Sequence, residues 1–288
     1  MTVLPELAEL ATLAERRHRD PAAILRRAAE LGASGDDAVA ATAAWVAGLA
    51  LHELGRAAEA VVSYRGSVET SGRLGLADVE ALARAGMAIS LLSTGDAAGA
   101  QRQIAVAVRR APPGAAGAVA MLHGLVLQRT GRLDDALSTY QAALTLLDAG
   151  GDLASVARLR LNRGTLLAYQ GALAPALDDL AEAERLATQR QLPVLAAMAA
   201  HNTGFAHGRR GNLPEALDAF DRAEAAYRDL DQPARLVAVL EADRCEVLLL
   251  AGLVAEAQAA ATAAVDALVS VGDQAHLGEA RLLVARTL

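Results

Sequence analysis

Large side chains and cysteine are scarce in this 288-residue chain. The single cysteine, Cys245, excludes an intrachain disulfide and fits a reducing cytoplasm, where the protein is expected to reside. Aromatic residues make up only 2% of the sequence although 53% of it is hydrophobic. A closed globular core leans on Phe, Tyr and Trp because each ring buries a large area. Here the apolar share is mostly Ala, Leu and Val, which suit helices packed closely together. No block of one charge occurs: 27 basic and 34 acidic residues are interspersed, for a net charge of −7. That balance lacks the basic stripe of a nucleic-acid binder and suits solvated helix faces. Charged residues break every apolar stretch well before the length that spans a membrane. Residues 1–20 have no basic start followed by an apolar core, so they do not read as a signal peptide.

Recognisable chemistry is missing as well. No strand pattern, phosphate-cradling loop or dinucleotide-binding turn is found. Among six histidines the only close pair is His201 and His207. Six helical residues rotate by roughly 600°, which points the two rings to opposite sides. No metal site, cofactor or catalytic residue is expected. Cys245 and His207 read as packing residues, since a reactive thiol needs an electropositive, open setting.

What is present is a ladder. Gly55, Gly95, Gly131, Gly171, Gly211 and Gly252 recur at intervals of 40, 36, 40, 40 and 41 residues. Seven residues before each stand Gly48, Ala88, Gly124, Gly164, Gly204 and Cys245. Four before stand Leu51, Leu91, Leu127, Leu167, His207 and Leu248. Five after each is an alanine, and nine after come Tyr64, Ile104, Tyr140, Leu180, Phe220 and Ala261. Spacings of three, four and seven keep residues on one helical face. Each unit therefore reads as one helix ending before the glycine and a second starting after it. The small residue is expected to lie against the alanine, and the larger residue nine after the glycine to plug into the next layer.

The resulting expectation is an all-α fold of antiparallel helix pairs. The pairs are 37–54 with 57–72, 77–94 with 97–110, 114–130 with 133–149, 153–170 with 173–190, 193–210 with 213–231, and 233–251 with 254–271. Breakers at Ser34-Gly35, Pro112-Pro113-Gly114, Gly150-Gly151, Pro193, Pro233 and Gly272-Asp273 separate them. Three segments follow: residues 1–35 as a degenerate capping pair, 36–272 as six repeats, and 273–288 as a seventh first helix or a cap. An apolar face around Leu277, Leu282 and Leu283 on that last helix is expected to offer a homodimer contact.

The Gly/Ala, Leu, Gly, Ala, Tyr/Phe, Ala ladder resembles the tetratricopeptide repeat (TPR), with a period near 40 instead of the family's 34. That resemblance implies a right-handed superhelical solenoid whose first helices line a concave groove, the usual binding surface. A narrower resemblance lies in Leu161-Asn162-Arg163-Gly164, His201-Asn202-Thr203-Gly204, the run Asp243 to Gly252, and the closing Glu279 to Arg286. These are similar to the helical arrays of actinobacterial CHAT-domain proteins, in which repeats precede a C-terminal caspase-like peptidase. No segment here resembles that peptidase. The resemblance thus implies a bacterial, cytoplasmic, non-catalytic recognition half that binds a protein or peptide. The alternative is a ligand- or protein-sensing module of a transcription regulator or signalling ATPase.

Within the expected groove the fourth and fifth units turn polar, with Arg158, Asn162, Tyr169, His201, Asn202, Phe205 and Arg209. Asp243 and Glu246 join them from the sixth. Asn162 and Asn202 recur at one place in adjacent units, and stacked amides can hold an extended peptide by donor and acceptor alike. Arg158 and Arg209 suit carboxylates. Trp45, the only tryptophan, is the candidate anchor in the otherwise apolar early units. The chaperone-binding members of the repeat family use lysines where Leu161 and His201 stand here. The competing reading of the apolar residues is packing between helices, and of the polar ones a solvated groove.

Overall fold

The computed structural model describes residues 4–229, 234–271 and 274–288. Among them it contains fifteen α-helices and no strand. A terminal pair, α1 (Pro5–Glu15) and α2 (Pro21–Gly32), precedes six pairs. These are α3 (Asp37–Glu53) with α4 (Ala57–Leu74), α5 (Ala77–Ser93) with α6 (Ala97–Arg110), and α7 (Pro113–Arg129) with α8 (Leu133–Gly150). Then come α9 (Leu153–Tyr169) with α10 (Leu173–Gln189), α11 (Pro193–Arg210) with α12 (Leu213–Arg228), and α13 (Ala234–Leu250) with α14 (Val254–Val271). Helix α15 (Gln274–Arg286) closes the chain. The fold is a helical repeat solenoid, with ends within a few residues of those read from the ladder. The breakers Pro233 and Gly272-Asp273 lie outside the described residues.

Local chemistry explains the ends. Asp20, Asp36 and Asp96 accept backbone N–H groups of the helices they precede, and proline opens α1, α2, α7 and α11. At Gly55 the backbone turns left-handed, with φ 74°. Its N–H donates to the His52 carbonyl at 3.0 Å and that of Arg56 to the Leu51 carbonyl at 2.9 Å. This paired closure needs a residue that accepts positive φ. The wider bond recurs after the other five turn glycines, from Asp96 to Leu91, Arg132 to Leu127, Ala172 to Leu167, Asn212 to His207 and Leu253 to Leu248. The residue four before the glycine is thus the acceptor of the closing bond. Between pairs, where Gly35, Gly75 and Gly151 also turn left-handed, Gln191 does so with φ 55°.

The small-residue slot packs differently from the expectation. A Cβ placed on Gly48 would sit 2.6 Å from the Tyr64 ring, and one on Gly86 of the next pair 2.7 Å from it. The ring is therefore pressed between two first helices. Gly124 meets Tyr140 in the same way, Gly164 meets Leu180 and Gly204 meets Phe220. The alanine contributes mainly its backbone: the Gly204 position lies 3.0 Å from the Ala216 carbonyl oxygen. Where the slot holds Ala88 or Cys245, the opposing residue is not aromatic but Ile104 or Ala261.

The chain forms two compact units, 1–159 and 160–288. In unit 1, α1, α3, α5 and α7 pack in succession, and α2, α4, α6 and α8 each pack on the first helices beside them. In unit 2, α11 packs on α10 and α12, α13 on α11, α12 and α14, and α15 on α13 and α14. Leu277 and Leu283 of α15 are buried in these contacts, at 4% and 5% exposure, while Leu282 is 62% exposed. The apolar face expected of this helix is therefore reduced to Leu282, because the other two leucines meet α13 and α14. Among the described residues no helix is long and apolar enough to cross a membrane.

Candidate functional site

In unit 2 the first helices bring most of the expected residues to one region. Tyr169, exposed, tilts over buried Phe205 with ring centroids 5.0 Å apart, and the Arg209 guanidinium lies 5.8 Å from the Phe205 ring. Burial, then the nearby Asp243, Glu246 and Glu279 carboxylates, push the Tyr169 hydroxyl up to about 12. His201 is buried: its Nε2 pairs with Asp243 Oδ2 at 2.9 Å and its Nδ1 lies 3.4 Å from the Tyr227 hydroxyl. His201 and Phe205 thus lie beneath the face and support it. Asn162 and Asn202 are half-buried. Neither side chain has a hydrogen-bond partner among the described residues, so both amides are available to a ligand.

Other polar groups of unit 2 pair with one another, although Arg160 Nε, Arg244 Nε and His207 Nδ1 are buried without a hydrogen-bond partner. Asp179 on α10 is buried and receives Arg160 Nη1 at 2.8 Å and Arg163 Nε at 2.6 Å. Glu241, also buried, lies 3.5 Å from Arg244, which reaches Glu224 at 3.0 Å as well. Burial raises the Glu241 carboxyl. Cys245 is fully buried, and burial pushes its thiol up, as its packing slot suggests. His207 is half-buried beside a shallow cleft with Thr203, Glu215, Asp218 and Arg222. No three His, Cys, Asp or Glu side chains converge as metal ligands among the described residues.

Unit 1 holds a different cluster. Arg17 and His18 follow α1, Glu53 ends α3, and Arg158 comes from the first turns of α9. His18 Nδ1 donates to Glu53 Oε2 at 2.9 Å, and Arg17 Nε approaches Oε1 at 3.5 Å. Arg17 Nη1 also donates to the Ala14 carbonyl at 3.1 Å, at the end of α1. Burial works against charge on Glu53, yet His18 and Arg17 hold its carboxyl down at about 2. Burial holds the His18 imidazole below its ordinary value. Arg158, 7% exposed, donates through Nη2 to the Glu15 carbonyl, while its Nε has no partner. Burial and then the neighbouring Arg17 depress Arg158 to about 9. Trp45 stands apart, half-buried between two core clusters.

Arg17, His18 and Glu53 escape a reading of the ladder. The first two lie beyond it, after the decayed terminal helix. Glu53 has a usable signal: it stands two residues before its turn glycine, as Tyr169 and Arg209 do.

Residues 116–189 match the tetratricopeptide repeat family. No curated protein is significantly similar in sequence. Solved structures are similar in fold. The APC/C hetero-tetramer Cut9–Hcn1 matches with TM-score 0.70 and 16% identity, over 98% of this chain and 48% of that one. The signal-transduction ATPase with a tetratricopeptide repeat sensor from Pyrococcus horikoshii gives 0.64 and 11%, over 93% and 43%. A Rap protein complexed with competence and sporulation factor gives 0.63 and 13%, over 100% and 87%. This chain spans less than half of the first two. The matched residues, the glycine-closed helix pairs and these likenesses together support a tetratricopeptide repeat array.

Proposed function

We propose that this chain is a non-catalytic scaffold that holds an extended peptide, or a segment of a protein, on the face of its first helices. The observation that carries the reading is the pair Asn162 and Asn202. They are half-buried amides at one register of successive first helices, without hydrogen-bond partners among the described residues. An amide so placed donates to a peptide carbonyl and accepts from a peptide N–H. Tyr169 and Arg209 flank them as exposed contacts, and the likeness to a Rap protein solved with its factor is in keeping with such a role.

The test is selection of peptides from a random display library on the full chain, followed by calorimetry with the selected peptide. Asn162→Ala combined with Asn202→Ala is expected to weaken binding at least about tenfold, as for two or more lost hydrogen bonds. Unchanged affinity moves the site elsewhere.

The finer proposal, that the array serves a caspase-like peptidase as in CHAT-domain proteins, rests on the sequence resemblance alone. A sensor role beside a signalling ATPase is the second reading, favoured by the fold likeness to the Pyrococcus horikoshii protein. Translating the coding sequence downstream separates them: a caspase-like domain supports the first, a nucleotide-binding or DNA-binding domain the second.

A further inference from the structure

Helix α1 is held to unit 1 more thinly than the first helices that follow it there. Of its eleven residues only Leu10 and Ala14 are buried, whereas α3 buries eight of seventeen. It packs on α3 and only lightly on α2, and no side chain caps its first turn. A helix of this length does not keep its shape alone in water. Leu10 and Ala14 share a core cluster with Ile24 of α2 and Val46 of α3, on which Trp45 and Leu49 also pack. Past the last turn of α1, Arg17 and His18 reach Glu53 of α3 at 3.5 and 2.9 Å, and Arg158 donates to the Glu15 carbonyl. The Asp152, Glu15 and Glu53 carboxylates act on Arg158 as well. Glu9 adds an exposed pair with Arg27 of α2 at 2.6 Å. Trp45, Leu49 and Glu53 stand ten, six and two residues before Gly55. The equivalent places in α11 are His201, Phe205 and Arg209, which belong to the candidate site. Arg209 is exposed there, whereas Glu53 is half-buried beneath Arg17 and His18.

We propose that residues 5–19, α1 and the turn after it, form a strap: a segment of this chain that occupies the first-helix face of α3 and detaches as one unit. Detachment returns Glu53, Arg17 and His18 to water together, so no bare charge stays buried. It gives up few apolar contacts, which places the strap at the low-stability end of the fold. The occupant that replaces it has the chemistry of α1 itself, an amphipathic segment with apolar residues spaced as Leu10 and Ala14 and basic ones following as Arg17 and His18. The proposal rests on the scaffold reading only for the idea that a partner displaces the strap; the strap itself is tested without one.

Opening is read on the full chain by amide hydrogen exchange and by acrylamide quenching of Trp45, the only tryptophan. Amides of α1 are expected to exchange at least about tenfold faster than those of α4 to α8, as for a local opening. Arg17→Ala combined with His18→Ala should speed exchange in α1 by a further tenfold or so, as for lost charged hydrogen bonds, and raise quenching of Trp45. Exchange in α4 to α8 should not change. The probe for the vacated face is a synthetic peptide copying residues 4–19. It is expected to bind the double variant at least about tenfold more tightly than wild type, whose own strap competes, and Glu53→Gln should remove that gain. Exchange in α1 that rises only together with α4 to α8 makes α1 an integral part of the stack and overturns the proposal. So does equal binding of the peptide to wild type and double variant. If the double variant does not fold, the exchange pattern of wild type decides. Peptides selected on Asn162 and Asn202 are measured separately, so the strap and the scaffold reading can each fail without the other.

Discussion

The two units treat buried charge in opposite ways. Unit 2 buries the Asp179 carboxylate and surrounds it with Arg160 and Arg163. It also seats His201 between Asp243 and Tyr227. Unit 1 buries the Arg158 cation and gives it one backbone carbonyl. In the first case side chains from other helices meet the buried group, so the contacts hold helices together, although the Arg160 Nε stays without a partner. In the second the Nε donor is left without an acceptor, and the Asp152, Glu15 and Glu53 carboxylates act on the charge without a hydrogen bond to it.

The largest test of this contrast removes the matched acid. Asp179→Ala leaves two guanidiniums facing an empty site and is expected to cost about 3–5 kcal/mol in urea unfolding. A cost near zero would mean that the pairing in unit 2 is not structural. The unit 1 cluster answers to pH. The Glu53 carboxyl lies below its unfolded value in the folded chain, so its contribution is present above the ordinary carboxylate range and is lost as pH falls toward about 2. Acid unfolding should show up to about 3 kcal/mol less loss in Glu53→Gln than in wild type over that window. Equal pH profiles would detach Glu53 from the fold.

Smaller effects sharpen the packing side. Gly48→Ala drives a methyl group into Tyr64 and is expected to cost about 1–3 kcal/mol, with part recovered by adding Tyr64→Ile, the combination found at Ala88 and Ile104. Non-additivity in that double-mutant cycle is the readout. Arg158→Met should change stability by no more than about 1 kcal/mol, since a misfit cation is exchanged for an apolar chain. A loss as large as that of Asp179→Ala would make Arg158 a structural clasp. Gln191→Gly should stabilise by about 1 kcal/mol, because glycine relieves the left-handed strain; a lower thermal midpoint would contradict this.

The helix pairs were legible because the ladder is enforced locally. The turn glycine, the acceptor four residues before it and the small slot seven before it are fixed by backbone geometry within one pair. The contact between slot and ring was misassigned, since spacing shows which residues share a face but not how far a ring reaches across it. The candidate site was legible in part. Register placed Asn162, Tyr169, Asn202 and Arg209 on the first-helix face. The same register also selected His201 and Phe205, which the fold covers with Asp243, Tyr227 and Tyr169.

The sequence by itself determined the repeat, its period near 40 residues, the helix ends and the small-residue slots, because each depends on residues close in the chain. Only the tertiary structure decided which charges are matched. Arg158 meets Glu15 across 143 positions of sequence, and Asp179 receives arginines from a neighbouring helix. A charge is made structural or available by whatever stands within a few ångströms of it, and spacing along the chain does not specify that distance.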